Sequence, residues 1–204
     1  IEIKNKYNDN TQIFRDWKKG GHGTVTITAA IAESVNTFFY AIGGGWAGQN
    51  GLGITKMGDY FNKFKIAEPV VFELGTTKSG TIPGPNWKKK NFTDGTWRLG
   101  DTYNASIGQF GFQVGVLPMV RAVSAIASNG QLINPHITTD SIYASKKPDT
   151  ISGISNASFE TMKTAMRATV TAGTGQSMNV PYVAIAAKTG TAQMVEPGGG
   201  YYED

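Results

Sequence analysis

Apolar residues in this chain recur mostly at helical spacing. Ile54, Met57, Tyr60/Phe61 and Phe64 fall three and four apart, which predicts an amphipathic helix over 54–65 with one face on the core. Leu117, Val120, Val123 and Ile126/Ala127 repeat the pattern. With Pro118 near the start and Asn129-Gly130 at the end, they predict a central helix packed through that stripe. Phe159, Met162, Met166 and Thr169/Val170 predict another, capped by Asn156 or Ser158. Upstream, the alanine-rich stretch 29–33 favours helix after a threonine cap, and Phe38-Phe39-Tyr40-Ala41-Ile42 favours a second one stopped by Gly43-Gly44-Gly45. The late run Val183-Ala184-Ile185-Ala186-Ala187-Lys188-Thr189-Gly190-Thr191-Ala192-Gln193 differs, because small and β-branched residues alternate up to Lys188. It predicts a strand with Lys188 and Gly190 on one face and Thr189 and Thr191 on the other.

Between these elements the chain is polar and glycine-punctuated. Residues 1–23 predict irregular connection, with His22 a loop residue bonded to nearby backbone. Residues 68–101, rich in Gly, Pro, Lys and Trp, predict a long surface excursion with few elements of its own. Thr171-Ala172-Gly173-Thr174-Gly175 turns the chain toward the late strand, and Pro197 to Tyr202 predicts a hairpin-like turn cut off before its partner strand.

Composition narrows the chemistry. With 204 residues, 40% hydrophobic and 17% charged, the chain suits one folded domain or a large part of one. A net charge of +4 with a single dense basic run, Lys88-Lys89-Lys90, predicts a solvated loop there and gives no support for nucleic-acid binding. Absence of cysteine excludes disulfides and thiolate sites, and His22 and His136 lie outside metal-ligand spacing, so no metal and no cofactor is expected. No run of about 18 apolar residues suggests a membrane span, so any anchor would lie outside this sequence.

Four local patterns bear on chemistry, and two of them keep a candidate role. Gly190 lacks a Cβ inside a predicted strand, beside a cation and two hydroxyls. That combination suits a carboxylate or a developing oxyanion, although a buried strand ending in a surface lysine fits as well. A phosphate loop is excluded, because Ala187 and Val183 stand where it needs glycines. Ser34 and Asn36 sit two apart, about 200° around an unbroken helix, and could cooperate only if the helix breaks there. Otherwise Asn36 is a helix cap and Ser34 a buried hydroxyl. Gly43-x-Gly45-x-x-Gly48 matches a dinucleotide fingerprint in letters, but an aromatic helix precedes it where a strand is needed. Ser106 lacks the glycine flanks of a nucleophile elbow and is read as structural.

Taken together, Ser34-x-Asn36 and Lys188-Thr189-Gly190 resemble two of the three motifs of penicillin-binding proteins and serine β-lactamases. The segments Trp17 to Gly23, Ser79-Gly80-Thr81-Ile82-Pro83, Gly100 to Gln109 and Ala187 to Ala192 are similar to the transpeptidase domain of class B penicillin-binding proteins, the elongation-specific penicillin-binding protein 2 group above all. The resemblance runs from about residue 11 to 196 in family order. It implies an α+β fold, an antiparallel sheet flanked by helices with the Lys-Thr-Gly strand at its edge. One departure stands out: no Ser or Thr stands three before a Lys, so the family's Ser-x-x-Lys nucleophile is not in this sequence. Residues 1–204 are therefore expected to be a partial domain. It would lack the upstream Ser-x-x-Lys segment and the strands and helix after Lys-Thr-Gly, and would be inactive alone.

The implied activity is peptidoglycan D,D-transpeptidation through a serine acyl-enzyme, with β-lactam antibiotics acylating the same site. Ser34, Asn36 and Lys188 would be catalytic, and Thr189, Gly190 and Thr191 would bind substrate. The Thr191 N–H would form half of the oxyanion hole, and a lowered Lys188 pKa is expected. Implied partners are peptidoglycan stem peptides and the cell-wall elongation machinery, including a glycosyltransferase. The implied location is the periplasmic or extracytoplasmic face of the bacterial envelope, anchored to the inner membrane. A non-catalytic β-lactam sensor or scaffold of the same fold is the alternative.

Overall fold

A computed structural model describes residues 1–4, 11–140 and 142–191. Strands β1 (Glu2–Lys4) and β2 (Thr11–Ile13) pair antiparallel where the composition suggests irregular connection, while residues 14–23 are irregular as expected. Helix α1 (Ile27–Ala32) opens on Thr26, whose hydroxyl accepts from the Ala29 N–H at 3.2 Å. Helix α2 (Asn36–Gly44) follows and ends at Gly45, φ 88°, a conformation that favours a residue without Cβ. The glycines there serve packing and turning. A Cβ on Gly43 would lie 2.5 Å from Ser106 Cβ, and one on Gly44 would meet the Tyr103 ring.

Short strands β3 (Gly45–Trp46) and β4 (Gln49–Asn50) form a hairpin before helix α3 (Gly53–Lys63), which buries Met57 as its spacing predicts. The segment expected to be a long surface excursion with few elements of its own contains the short ladder of β5 (Val71–Phe72) with β6 (Gly75–Thr76), and helix α4 (Pro85–Asn91). The lysine run is on α4, with proline at its start fixing φ. Lys88 is buried rather than solvated, its ammonium 2.6 Å from Asp101 Oδ2 at the start of helix α5 (Leu99–Ser106). The same oxygen accepts the Arg98 N–H at 2.6 Å, so one carboxylate caps α5 and neutralises the buried lysine.

Helix α6 (Val116–Ala127) lies where predicted but rotated. Pro118, Arg121, Ala122 and Ala125 are the buried positions, while Val120 and Val123, expected in the core, are exposed. The reason is Arg121. Its guanidinium donates to the carbonyls of Lys65 at 2.8 Å and Glu68 at 3.2 Å beyond α3, and small alanines beside it permit close approach. Partial burial lowers the Arg121 pKa, with Glu68 and Asp149 opposing that shift.

β7 (Gln131–Leu132) pairs with β8 (Asp149–Thr150) and leads to helix α7 (Asn156–Thr171). Its cap is Ser155, whose Oγ accepts from the Ser158 N–H at 3.2 Å, in place of Asn156 or Ser158. α7 packs along α1, and α2 along α5. Phe14, Tyr40 and Tyr103 form one core cluster with edge-on rings, and Ala125, Leu132 and Ile151 form another. The content is α+β with antiparallel pairing throughout, as expected. Among the described residues the strands form two-stranded ladders only. No helix among them is long and apolar enough to cross a membrane.

Candidate active site

The break between α1 and α2 is where chemistry concentrates. Ser34 sits at φ 55°, a left-handed conformation that costs a residue with a Cβ on the order of 1–3 kcal/mol. It persists because its surroundings hold it. Ser34 N–H and Val35 N–H donate to the Ile31 and Ala30 carbonyls, Val35 is 2% exposed, and the Trp17 indole donates to the Glu33 carbonyl at 2.9 Å.

Asn36 was expected to cap α2, and it does not. It is the first helical residue, after Val35, which supplies no side-chain cap. Asp16 does the capping from a distance: its Oδ2 accepts from the Thr37 N–H at 3.2 Å and the Thr37 hydroxyl at 2.9 Å. The Asp16 and His22 side chains are both buried, with His22 Nδ1 3.2 Å from Asp16 Oδ1. His22 thus faces the carboxylate that caps α2, where sequence reasoning saw a residue bonded to backbone. Asp16 also raises the Tyr40 pKa, adding to the larger effect of burial. Relieved of capping, the half-buried Asn36 amide makes no side-chain hydrogen bond among the described residues, to Lys188 or to any other group.

The second motif arrives from the far end of the chain. Residues 184–190 are extended and their burial alternates, with Ile185, Ala187 and Thr189 turned inward and Lys188 and Gly190 outward, as period two requires. The segment is not a paired strand, however; Ala192 and Gln193 of the predicted strand, and the turn at 197–202, lie outside the described residues. Its backbone groups are met by a helix instead. The Ala187 N–H donates to the Met166 carbonyl at 3.0 Å, and Arg167 Nη1 donates to the Ile185 carbonyl at 2.7 Å.

Lys188 Nζ then reaches Ser34 Oγ at 2.8 Å, across 154 positions of chain, and its own neighbour's Thr189 carbonyl at 3.0 Å. Desolvation at this contact lowers the Lys188 pKa, the direction expected from sequence. Because an ammonium only donates, Ser34 accepts here and keeps its own proton for another group. Around Gly190 the space is open: a Cβ there would meet nothing within 4 Å among the described residues, so packing against them does not require the glycine. The Thr191 carbonyl is held by the Gln109 side-chain amide at 2.9 Å. Ser106 bonds back to the Tyr103 carbonyl at 2.6 Å, in keeping with a structural role.

Sequence reasoning read 171–175 as a turn but missed what Thr174 touches there, and it missed the parts played by Asp16 and Gln109. Thr174 N–H and its hydroxyl both reach the Ala32 carbonyl, at 3.0 and 3.3 Å, and its Oγ1 lies 2.7 Å from Thr189 Oγ1. A Cβ at Gly173 would stand 2.2 Å from that same carbonyl. A threonine between two glycines, directly after a helix and before the Lys-Thr-Gly segment, was the available signal. Among the described residues no three His, Cys, Asp or Glu side chains are placed to hold a metal ion.

Comparison with known proteins identifies the family. The family model described as the penicillin binding protein transpeptidase domain matches residues 1–204. The peptidoglycan D,D-transpeptidase MrdA of Acinetobacter baumannii is 32% identical over 190 residues, 89% of this chain and 27% of that protein. Among solved structures, the complex between penicillin-binding protein PBP2 and MreC from Helicobacter pylori superposes with a TM-score of 0.76 at 26% identity. It is matched over 95% of this chain and 36% of that one. The Pseudomonas aeruginosa PBP2 complexed with WCK 5153 gives 0.75 at 25% identity, over 94% and 43%. This chain spans under a third of the length of the curated relatives, 27–30% for the MrdA proteins of Acinetobacter, Salmonella and Escherichia. On the match of the family model along its whole length, the chain belongs to the penicillin-binding protein transpeptidase domain family.

Proposed function

We propose that this chain is part of a peptidoglycan D,D-transpeptidase that cross-links stem peptides through a serine acyl-enzyme and is itself acylated by β-lactams. The observation that carries this reading is the 2.8 Å contact between Lys188 Nζ and Ser34 Oγ. It joins two motifs whose only shared feature in the sequence is that acyl-transfer enzymes of this family pair them. The nucleophile belongs to a Ser-x-x-Lys segment outside residues 1–204, since none occurs within them.

In this reading the nucleophilic serine Oγ adds to the carbonyl of the penultimate D-alanine, giving up its proton to the lysine of its own motif. As the tetrahedral adduct collapses, the C–N bond breaks and the leaving nitrogen needs a proton. Ser34 supplies it, and Lys188, already donating to Ser34 Oγ, replaces it. D-Alanine departs, and an amine of a second strand displaces the serine ester. Asn36, free of capping duty, faces the substrate amide. The hydroxyls of Thr189 and Thr191 receive the terminal carboxylate, Gly190 leaves it room, and the Thr191 N–H is half of the oxyanion hole, aligned by Gln109. The working location is the outer face of the inner membrane, with an anchor, a glycosyltransferase and other elongation proteins as partners. The complex of the Helicobacter pylori relative with MreC supports that assignment.

The test is covalent labelling of the full-length protein. It should retain a fluorescent penicillin through denaturing electrophoresis and release D-alanine from a pentapeptide stem. Labelling without D-alanine release would identify a sensor or scaffold, and absence of labelling in a folded full-length protein would refute the assignment.

A further inference from the structure

Thr174 has one hydroxyl proton and two acceptors in reach. At 2.7 Å its contact with Thr189 Oγ1 has the usual length of a hydroxyl–hydroxyl hydrogen bond, whereas its contact with the Ala32 carbonyl is long at 3.3 Å. Two proton arrangements satisfy this geometry. In one, Thr174 donates to Ala32 and Thr189 donates to Thr174, so the Thr189 proton is spent inside the protein. In the other, Thr174 turns its proton to Thr189 Oγ1, and the Thr189 proton points outward. The turn leaves nothing orphaned, because the Ala32 carbonyl keeps the Thr174 N–H at 3.0 Å.

We infer that Thr174 is a positioning residue that makes Thr189 a donor for carboxylate-terminated substrates. An arriving carboxylate accepts the Thr189 proton, and Thr174 rotates to fill the acceptor left behind. Because Thr174 is bonded to Ala32, two residues before Ser34, and Gly173 permits the close approach, the carboxylate end of the substrate is set at a fixed distance from the Ser34–Lys188 pair. This rests on the transpeptidase reading and adds to it the residue that enforces a free C-terminal carboxylate.

The experiment uses full-length protein and two depsipeptide stem mimics that differ only in the C-terminal group, a free carboxylate or a carboxamide. Thr174→Val keeps the β-branched shape and removes the proton. It should raise KM for the carboxylate form roughly tenfold, the upper end of what one neutral hydrogen bond between hydroxyls is worth, with the change in KM rather than kcat. KM for the carboxamide form should stay within error, and Thr174→Ser should restore the preference. Thr174→Ala, tested alongside with melting temperatures, covers a folding defect in the valine variant. Retained carboxylate preference in both proton-less variants, or an equal loss on both mimics, overturns the inference. Wild-type protein that turns over neither mimic overturns the transpeptidase reading, and this inference with it.

Discussion

Lys188 donates to Ser34 Oγ at 2.8 Å, and the cost of that contact falls on the lysine, whose pKa is lowered by desolvation. The sign follows from linkage. A lysine whose folded pKa lies below its unfolded value binds fewer protons folded than unfolded across the interval between them. Stability therefore rises with pH there, and the penalty for burying the ammonium is fully present below the folded value. Lys188→Met removes the desolvated charge, so the melting temperature at neutral pH should hold or rise slightly. Acylation of the full-length protein by penicillin should fall on the order of a hundredfold or more, the usual worth of a positioned acid–base group. A variant that loses stability and activity in parallel would make Lys188 structural.

The two glycines near the site separate function from packing. A Cβ at Gly173 would lie 2.2 Å from the Ala32 carbonyl, a backbone atom that cannot rotate away, whereas one at Gly190 would meet nothing within 4 Å among the described residues. Gly173→Ala should lower the urea midpoint by the equivalent of about 1–3 kcal/mol, the usual range for overpacking. Gly190→Ala should leave the midpoint within error and slow acylation by placing a methyl group where substrate approaches.

How much of this was legible in the sequence depends on which forces act locally. Helix periods follow from neighbours in the chain and were readable, as was a threonine cap before the first helix, though not that it is Thr26, while the break at Ser34 was one of two readings the residues allowed. The α6 rotation was not, because the apolar stripe through Val120 and Val123 outscores a face whose burial is set by Arg121 reaching the α3 terminus. Lys88 misled for the same reason, since its partner Asp101 belongs to another helix. At the site, the residue types at 34, 36 and 188 to 191 were recognisable as motifs. The groups that hold them, Asp16, Thr174 and Gln109, act through space and carry no local period.

Asp16 offers a test of such support. Its carboxylate serves two Thr37 donors at the start of α2 and faces the buried His22 ring. Asp16→Ala strips the cap and leaves buried polar groups without a partner, which should cost about 1–3 kcal/mol in urea unfolding. Thr37→Val removes only the hydroxyl contact and should cost less, about 1 kcal/mol. Since α2 begins two residues after Ser34, both variants should also slow penicillin acylation, in the same order as their losses of stability.

The Lys88–Asp101 pair makes a contrasting prediction far from the motifs. The ammonium is almost fully buried and stands 2.6 Å from a carboxylate that also caps α5 through the Arg98 N–H. Removing one member leaves the other charged and desolvated, which typically costs about 3–5 kcal/mol. Asp101→Ala also uncaps α5, so it should cost more than Lys88→Met, which loses an ammonium but keeps a stem-like apolar chain near Phe110. Replacing both residues, Lys88→Met with Asp101→Asn, removes both charges while an amide oxygen remains to accept from Arg98, so the double variant should be more stable than Asp101→Ala alone. Chemical denaturation of wild type, Lys88→Met, Asp101→Asn and the Lys88→Met/Asp101→Asn double variant closes a double-mutant cycle, and simple additivity of the single losses would show that the pair is not coupled.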